Sequence, residues 1–440
     1  MPIARSSYQI LLLIVVSVAL HGCGRIQPIL SGKQHPHEQY RNDLQKAGLD
    51  GTALVREWEM AAEKALRDTV IAITPMQEVF YFAAGSATAF GYRLEGRRGE
   101  KIQIRTQVTS VGPINVFVDL FELDEGVAEH IASAERTELE FICDRNGIYV
   151  VRVQPELLRS AQVTITITKA PSLDFPVAGH TGRSIRSFFG DARDAGKRRH
   201  EGVDVFAPRG TPLIAVADGI ARSGNNRLGG KVVWLYDPDR NLNLYYAHLD
   251  SQYVGMLSQV KIGDTLGTVG NTGNAKHTPP HLHFGIYARG EGAVDPLPYL
   301  NTPETDPKPV TADRDLLGKP VRVRSKQIDL RIAPNEKAAK LATIPRNSFL
   351  NISGATKDLY RVEYGGMSAY VRSKDLELID APLKKIDLKE NAVLFDQPGI
   401  GSVPIADLQK GEKLELLAII GGFQHVRTAD DRIGWIIAEQ

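Results

Sequence analysis

Cysteine is scarce in this sequence, because Cys23 and Cys143 are the only two among 440 residues. We therefore expect no disulfide framework. Neither sign of charge is in excess, since 53 Lys and Arg residues face 52 Asp and Glu residues. This balance argues against a broad basic surface, and we expect no nucleic-acid partner. The sequence also contains neither the G-x-S-x-G turn of a serine hydrolase nor the H-E-x-x-H pair of a helical zinc site.

Long apolar runs are absent except near the N-terminus, where residues 10–20 follow the positively charged Arg5. This run is shorter than the roughly 20 residues of a membrane-spanning helix, and its position is typical of a secretion signal. The run ends in Leu20-His21-Gly22-Cys23, which resembles a bacterial lipoprotein signal. We expect residues 1–22 to be removed and lipid on Cys23 to anchor the protein to a membrane. An uncleaved anchor or an ordinary signal peptide are the alternatives.

The rest of the chain divides by hydrophobic pattern into a mostly β protein. Residues 36–74 have helical spacing, broken near Gly48 and Gly51, and we interpret His35-Pro36-His37 at the start of this segment as part of a tether. Residues 79–170 alternate with a period of two and predict a β-sandwich accessory domain. Proline-rich linkers enclose residues 173–303. An internal repeat at 318–380 and 384–440 predicts two small β-barrels.

Three histidine motifs lie within about a hundred residues, at 200–204, 246–249 and 281–284. His281 and His283 are two apart in a predicted strand, so that both side chains lie on one face. His200 and Asp204 flank Gly202, which we expect to bend the backbone so that the two side chains converge. A catalytic zinc ion usually takes three protein ligands and keeps a fourth position open, so the motifs supply more ligands than one ion needs.

These motifs resemble the lysostaphin/LytM-type zinc metallopeptidases over about residues 173–300. The resemblance is carried by Phe189-Gly190, His200-Glu201-Gly202-Val203-Asp204, Ala207-Pro208-Arg209-Gly210-Thr211-Pro212, Tyr246-Ala247-His248-Leu249 and Pro280-His281-Leu282-His283-Phe284. It implies a LytM-type β-sheet domain in which His200, Asp204 and His283 bind Zn²⁺ and His248 and His281 form the catalytic pair. The C-terminal repeats resemble bacterial Src-homology-3-like domains, which implies a cell-wall protein partner or wall binding through them.

The function implied is zinc-dependent hydrolysis of peptide cross-links in bacterial peptidoglycan, with the peptide stems as substrate. The alternative is a non-catalytic LytM-type scaffold that binds or activates another cell-wall hydrolase. Because Gly24 rather than an aspartate follows Cys23, we expect an envelope protein that faces the periplasm from the outer membrane in a Gram-negative cell. The basic run Lys197-Arg198-Arg199 is either a solvated loop or a site for substrate carboxylates.

Overall fold

The computed structural model describes residues 35–68, 70–134, 136–300, 306–399 and 401–438. The predicted signal and its Cys23 lie outside these residues. Over the described residues taken together, strands predominate over helices, so the prediction of a mostly β protein is confirmed. Within the same ranges, no helix is long and apolar enough to cross a membrane.

Two helices precede the first sheet, α1 (Pro36–Lys46) and α2 (Ala53–Leu66). Pro at the first position of α1 suits a helix start, and the Thr52 hydroxyl accepts from the N–H of Val55 to cap α2. The predicted break between them is confirmed. The tether interpretation of His37 is wrong, because its side chain is buried and its ring stacks on Trp58 at 4.4 Å.

The next eight strands form two facing sheets. One sheet contains the order β1-β8-β3-β6 and the other the order β2-β7-β4-β5, with apolar side chains between them. Cys143 belongs to this core and is 1% exposed, as its alternating pattern predicts. The strands are β1 (Met76–Phe82), β2 (Phe90–Gly96), β3 (Glu100–Thr109), β4 (Val116–Asp124), β5 (Val127–Ser133), β6 (Glu138–Ile142), β7 (Gly147–Pro155) and β8 (Ala161–Pro171).

The central domain is built on an antiparallel sheet in the order β17-β14-β15-β16-β19-β12-β9. One side of the sheet packs on the domain core, and the other side faces away from that core. The elements are β9 (Ile185–Ser187), β10 (Ala192–Arg193), β11 (Arg198–Arg199), β12 (Val203–Phe206), β13 (Pro212–Ile214), β14 (Gly219–Asn226), β15 (Gly230–Asp237), β16 (Leu242–Gln252), β17 (Ser258–Val260), β18 (Thr265–Val269), β19 (His281–Ala288), β20 (Gly292–Val294) and α3 (Leu297–Leu300).

The C-terminal region contains two groups of strands. The first is β21 (Pro320–Val323), β22 (Gln327–Arg331), β23 (Lys340–Pro345), β24 (Phe349–Thr356), β25 (Leu359–Tyr364), β26 (Met367–Arg372) and β27 (Leu376–Leu378). The second is β28 (Lys384–Asp387), β29 (Ala392–Phe395), β30 (Pro404–Leu408), β31 (Lys413–Ile420), β32 (Phe423–Arg427) and β33 (Ile433–Ile437).

The prediction of two separate closed barrels is not confirmed for these groups. β24 pairs with β1 at Val79↔Ala355 and Phe80↔Gly354, so the first group continues a sheet of the N-terminal sandwich. The second follows an open order, β28-β31-β32-β33-β29-β30, and no closed barrel is found among the described residues. The physical reason is that an edge strand offers unpaired N–H and C=O groups, which another edge can satisfy.

The joint between β1 and β24 encloses a buried ion pair. The guanidinium of Arg361 is fully buried and donates to Asp68 at 2.6 Å, while Tyr370 donates to Glu78 at 2.6 Å. Residues from both ends of the chain therefore share one core at this joint.

Candidate metal and catalytic centre

The pairing of β12 with β19 positions three of the predicted site residues directly. Asp204 lies opposite His283, and Phe206 lies opposite His281, whose ring stacks on the phenyl ring at 5.1 Å. Side chains two apart on a strand point to one side of the sheet. Asp204 and both histidines of the H-x-H motif therefore meet on the side away from the main core.

His200 lies in the loop before β12 and reaches the same place. Its backbone N–H donates to Asp191 at 2.8 Å, which fixes the chain entering the strand. Gly202 serves this site in a way that differs from our prediction of a bend. A Cβ at this position would lie 2.5 Å from the carbonyl oxygen of Phe284 and 2.8 Å from the His283 ring. The glycine is needed for close approach between the loop and β19.

His248 reaches the site through an irregularity in β16. The register between β15 and β16 shifts between Lys231↔Leu249 and Val233↔Tyr246, which leaves an extra residue in β16. His248 has a φ of 66°, in the left-handed region that non-glycine residues seldom adopt. The ring lies 5.0 Å from that of His281 and 6.0 Å from that of His283, centroid to centroid. β-Bulges often redirect a side chain beside an active site, and this one brings the third histidine motif to the other two.

Three atoms at the centre of the site lie unusually close together. His200 Nε2, Asp204 Oδ1 and His283 Nδ1 are separated by 2.9–3.0 Å. His200 Nδ1 faces the carbonyl oxygen of Phe188 at 2.9 Å, and a carbonyl can only accept, so Nδ1 carries the proton of the neutral ring. Nε2 of His200 therefore has a lone pair and no proton. It faces Asp204 Oδ1 and His283 Nδ1, and these two atoms have at most one proton between them. A cation between the three atoms would resolve this contact.

The donor set fits zinc. Two imidazole nitrogens and one carboxylate oxygen are a common set for a catalytic zinc ion. His200, Asp204 and His283 are one of the two groups within the described ranges whose ligand atoms are close enough to share a metal ion. Burial favours a neutral carboxyl, but hydrogen bonding and charge interactions with the two imidazoles outweigh it and hold the pKa of Asp204 well below its usual range. Burial lowers the pKa of His283 and favours its neutral form.

His248 and His281 are both held by backbone carbonyls. Nδ1 of His248 faces the carbonyl oxygen of Thr272, and Nδ1 of His281 faces that of Pro279, each at 2.9 Å. Both rings therefore carry their proton on Nδ1 and present Nε2 as a base. Burial, and then the neighbouring His281, lower the pKa of His248 to about 4, so this ring is neutral near pH 7.

The structure thus brings together all five predicted residues, and it adds one that the sequence did not indicate. Arg193 donates from Nη2 to Asp204 Oδ2 at 2.7 Å. The two residues are eleven positions apart in sequence, with part of a short hairpin between them, and no periodic pattern relates them. In the basic run Lys197-Arg198-Arg199, the side chain of Arg199 donates to the carbonyl oxygen of Gly190.

Comparison with known proteins agrees with this architecture. Residues 198–296 match the model of peptidase family M23. An L-Ala–D-Glu endopeptidase of Bacillus subtilis is 38% identical over 138 residues, which are 29% of this chain and 42% of that protein. The peptidoglycan DD-endopeptidase ShyC of Vibrio cholerae is 38% identical over 97 residues, 21% of each chain. The glycyl-glycine endopeptidase ALE-1 of Staphylococcus capitis is 37% identical over 108 residues, 23% of this chain and 29% of that protein.

The chain spans less than half the length of each of these relatives. The match falls on the central domain, where it includes the three motifs and all five predicted residues. Residues 198–296 of the central domain therefore match peptidase family M23, and the relatives that this part of the chain resembles include a protein named as a peptidoglycan endopeptidase.

Proposed function

We propose that this protein is a zinc-dependent endopeptidase that hydrolyses peptide cross-links of bacterial peptidoglycan. The observation that carries the proposal is the group of three ligand atoms within 2.9–3.0 Å of one another, beside two histidines whose Nδ1 atoms are held by backbone carbonyls. A scaffold that had lost its chemistry would have no reason to keep either feature. The family match supplies the class of substrate.

In this proposal His200, Asp204 and His283 hold the ion. A bound zinc ion would polarise the peptide carbonyl and make water acidic enough to attack near neutral pH. The protein supplies the rest. The sheet fixes Asp204 against His283, and the Phe188 carbonyl fixes the His200 ring, so the ligands are oriented before the ion arrives.

His248 and His281 handle the proton and the developing negative charge. Nε2 of either ring can accept a proton from the attacking water as general base. The same atom, once protonated, can donate to the oxyanion or to the leaving amine. Their Nδ1–H groups stay bound to the carbonyls of Thr272 and Pro279, so neither ring has to turn during the reaction.

The substrate bond is the finer part of the proposal. The three relatives are named for three different bonds, so their names select none of them. We propose a stem cross-link that contains a diaminopimelate residue, in an envelope protein anchored by lipid on Cys23 and facing the periplasm. Wall or partner binding by the C-terminal strands, as Src-homology-3-like units, completes the proposal.

Digestion of purified peptidoglycan sacculi tests the activity. The protein from Gly24 onward is incubated with sacculi, with and without a chelator, and the released fragments are identified by mass spectrometry. We expect loss of cross-linked dimers that stops with chelator and returns when zinc is added back. No release by the zinc-loaded protein, together with stimulation of a second wall hydrolase, would instead establish the scaffold function.

A further inference from the structure

Arg193 has no assigned role in the site, yet it contacts the candidate ligand Asp204. Arg193 lies on β10, which pairs with β11 in a two-stranded hairpin just before His200. Its Nη2 donates to Asp204 Oδ2 and to Ser187 Oγ, each at 2.7 Å. Ser187 is the residue opposite Asp204 on β9. The guanidinium is thus held between two neighbouring strands.

The two oxygens of Asp204 have separate surroundings as a result. Oδ1 lies 3.0 Å from His200 Nε2 and 3.0 Å from His283 Nδ1, inside the group of ligand atoms. Oδ2 faces away from that group and accepts from Arg193. A carboxylate without such a partner can turn both oxygens toward one ion, as bidentate carboxylates do.

The arrangement differs from an ordinary surface ion pair. The Asp204 side chain is 12% exposed and that of Arg193 is 33% exposed, so the pair is largely shielded from water. The hydroxyl of Ser187 donates in turn to Asp191 Oδ2, which also accepts from the N–H of Phe188. The same loop therefore orients His200 through the Phe188 carbonyl and Asp204 through Arg193.

We propose that Arg193 is a positioning residue that occupies Oδ2 of Asp204, so that the carboxylate presents only Oδ1 to the metal ion. One coordination position then stays open for water and substrate, which a catalytic zinc site requires. The inference rests on the ligand set of the proposed function. Charge-bearing partners behind a ligand commonly affect metal affinity and geometry in this way.

The test is the variant Arg193→Met, measured for metal binding rather than for turnover alone. Competition with a chromogenic chelator should show zinc affinity about 10- to 100-fold weaker than in the unsubstituted protein. The visible spectrum of the cobalt-substituted protein should lose intensity, because a freed Oδ2 raises the coordination number above four. Arg193→Lys keeps a donor and should restore part of both properties.

Arg199→Met is the matched control, because it also removes one positive charge from the hairpin. The Arg199 side chain donates to the Gly190 carbonyl rather than to Asp204. If Arg193→Met and Arg199→Met give the same affinity and the same cobalt spectrum, the inference is wrong. If the unsubstituted protein binds neither ion, the ligand set itself fails, which is a different result. If Arg193→Met does not fold, Ser187→Ala serves instead, because it removes the other acceptor of the guanidinium. This variant should weaken zinc binding by less than about tenfold. An unchanged zinc affinity and cobalt spectrum in Ser187→Ala would overturn the inference.

Discussion

Asp119 in the sandwich and Asp204 in the peptidase domain have similar surroundings. Each lies on a strand between two others, with a serine opposite on one side, Ser133 and Ser187 respectively. Each accepts at Oδ2 from an arginine Nη2 at 2.7 Å. Each is also grouped with two histidines at distances that a metal ion could bridge.

The two groups differ in what faces the other carboxylate oxygen. In the sandwich, where the group is His35, His37 and Asp119, the Ser133 hydroxyl donates to Asp119 Oδ1 at 2.6 Å and the nearest nitrogen of His35 remains 3.8 Å away. His130, outside this group, lies 3.7 Å from the same oxygen. In the peptidase domain, imidazole nitrogens lie 3.0 Å from Oδ1. The residue opposite on the third strand is Arg152 in the first group and His283 in the second. Oδ1 of the sandwich carboxylate accepts a hydrogen bond from a hydroxyl, whereas Oδ1 of the peptidase carboxylate faces two imidazole nitrogens that are close enough to share a metal ion with it.

Ring orientation separates the two groups further. The rings of His35 and His37 are stacked at 6.2 Å and 21°, and His37 also stacks on Trp58 while its Nε2 contacts Gln154. The lone pair of an imidazole lies in the ring plane, so stacked, nearly parallel rings cannot both direct it to one ion. The rings of His200 and His283 are inclined by 48°. We therefore interpret the first group as the contact that docks α1, and the second as the candidate metal centre.

Paired substitutions at the two aspartates should give the largest difference. Asp204→Asn removes the charge that a zinc ion needs, and we expect no zinc after dialysis and no detectable turnover. Asp119→Asn should keep both, but it leaves Arg152 buried without an anionic partner and should cost about 3–5 kcal/mol of stability. Elemental analysis, sacculus digestion and thermal unfolding measure the three properties. Loss of zinc in Asp119→Asn would remove the distinction.

Substitution of the catalytic pair should affect turnover without affecting zinc. His281→Gln and His248→Gln remove Nε2 as a base, and kcat should fall by about 10²- to 10⁴-fold while zinc content stays the same. His37→Gln removes an equally buried imidazole from the sandwich and should leave kcat unchanged. Full activity in His281→Gln would show that this ring is not part of the chemistry.

Acid should loosen α1 before it affects the rest of the fold. Burial, and then Arg152, lower the pKa of His37 to about 4 from 6.5. Because the folded-state pKa lies below the unfolded value, the contribution of His37 to stability is complete above pH 6.5 and is lost as the pH falls toward 4. The full effect is roughly 3 kcal/mol.

Hydrogen–deuterium exchange of the α1 amides at pH 7.5 and pH 5, corrected for intrinsic rates, measures this loosening. His37→Phe keeps a ring on Trp58 but cannot take up a proton, and its exchange should depend less on pH. Equal pH dependence in both proteins would assign the effect to another group.

The smallest expected effect is that of Ser133→Ala, which removes the hydroxyl at Asp119 Oδ1. Stability should fall by about 1 kcal/mol, and zinc content should stay at one ion per chain because the stacked rings remain. A second zinc ion in this variant would show that the hydroxyl, and not the ring orientation, keeps metal out of the sandwich.

The sequence predicted the site better than it predicted the rest of the molecule. The spacing of His281 and His283 on a strand, and the short motifs around His200 and His248, were enough to identify five residues that meet in space. Motifs record local geometry, and here each motif falls on one strand or loop. Arg193 was missed because its contact with Asp204 depends on a hairpin that no pattern marks.

Contacts between distant segments could not be predicted for the same reason. The pairing of Val79 with Ala355 joins strands more than 270 residues apart, and the sequence of neither strand indicates the other as its partner. The sequence around His37 favours a tether, because no residue near it in the chain indicates that Trp58 and Gln154 will contact its ring. A local sequence pattern does not indicate which strand edge or which part of the core a segment will pack against.

An anomalous difference map recorded at the zinc absorption edge would test the central claim most directly. Crystals of the protein grown with zinc should show one strong peak between His200 Nε2, Asp204 Oδ1 and His283 Nδ1, and none beside Asp119. A peak beside Asp119, or no peak at Asp204, would contradict the account.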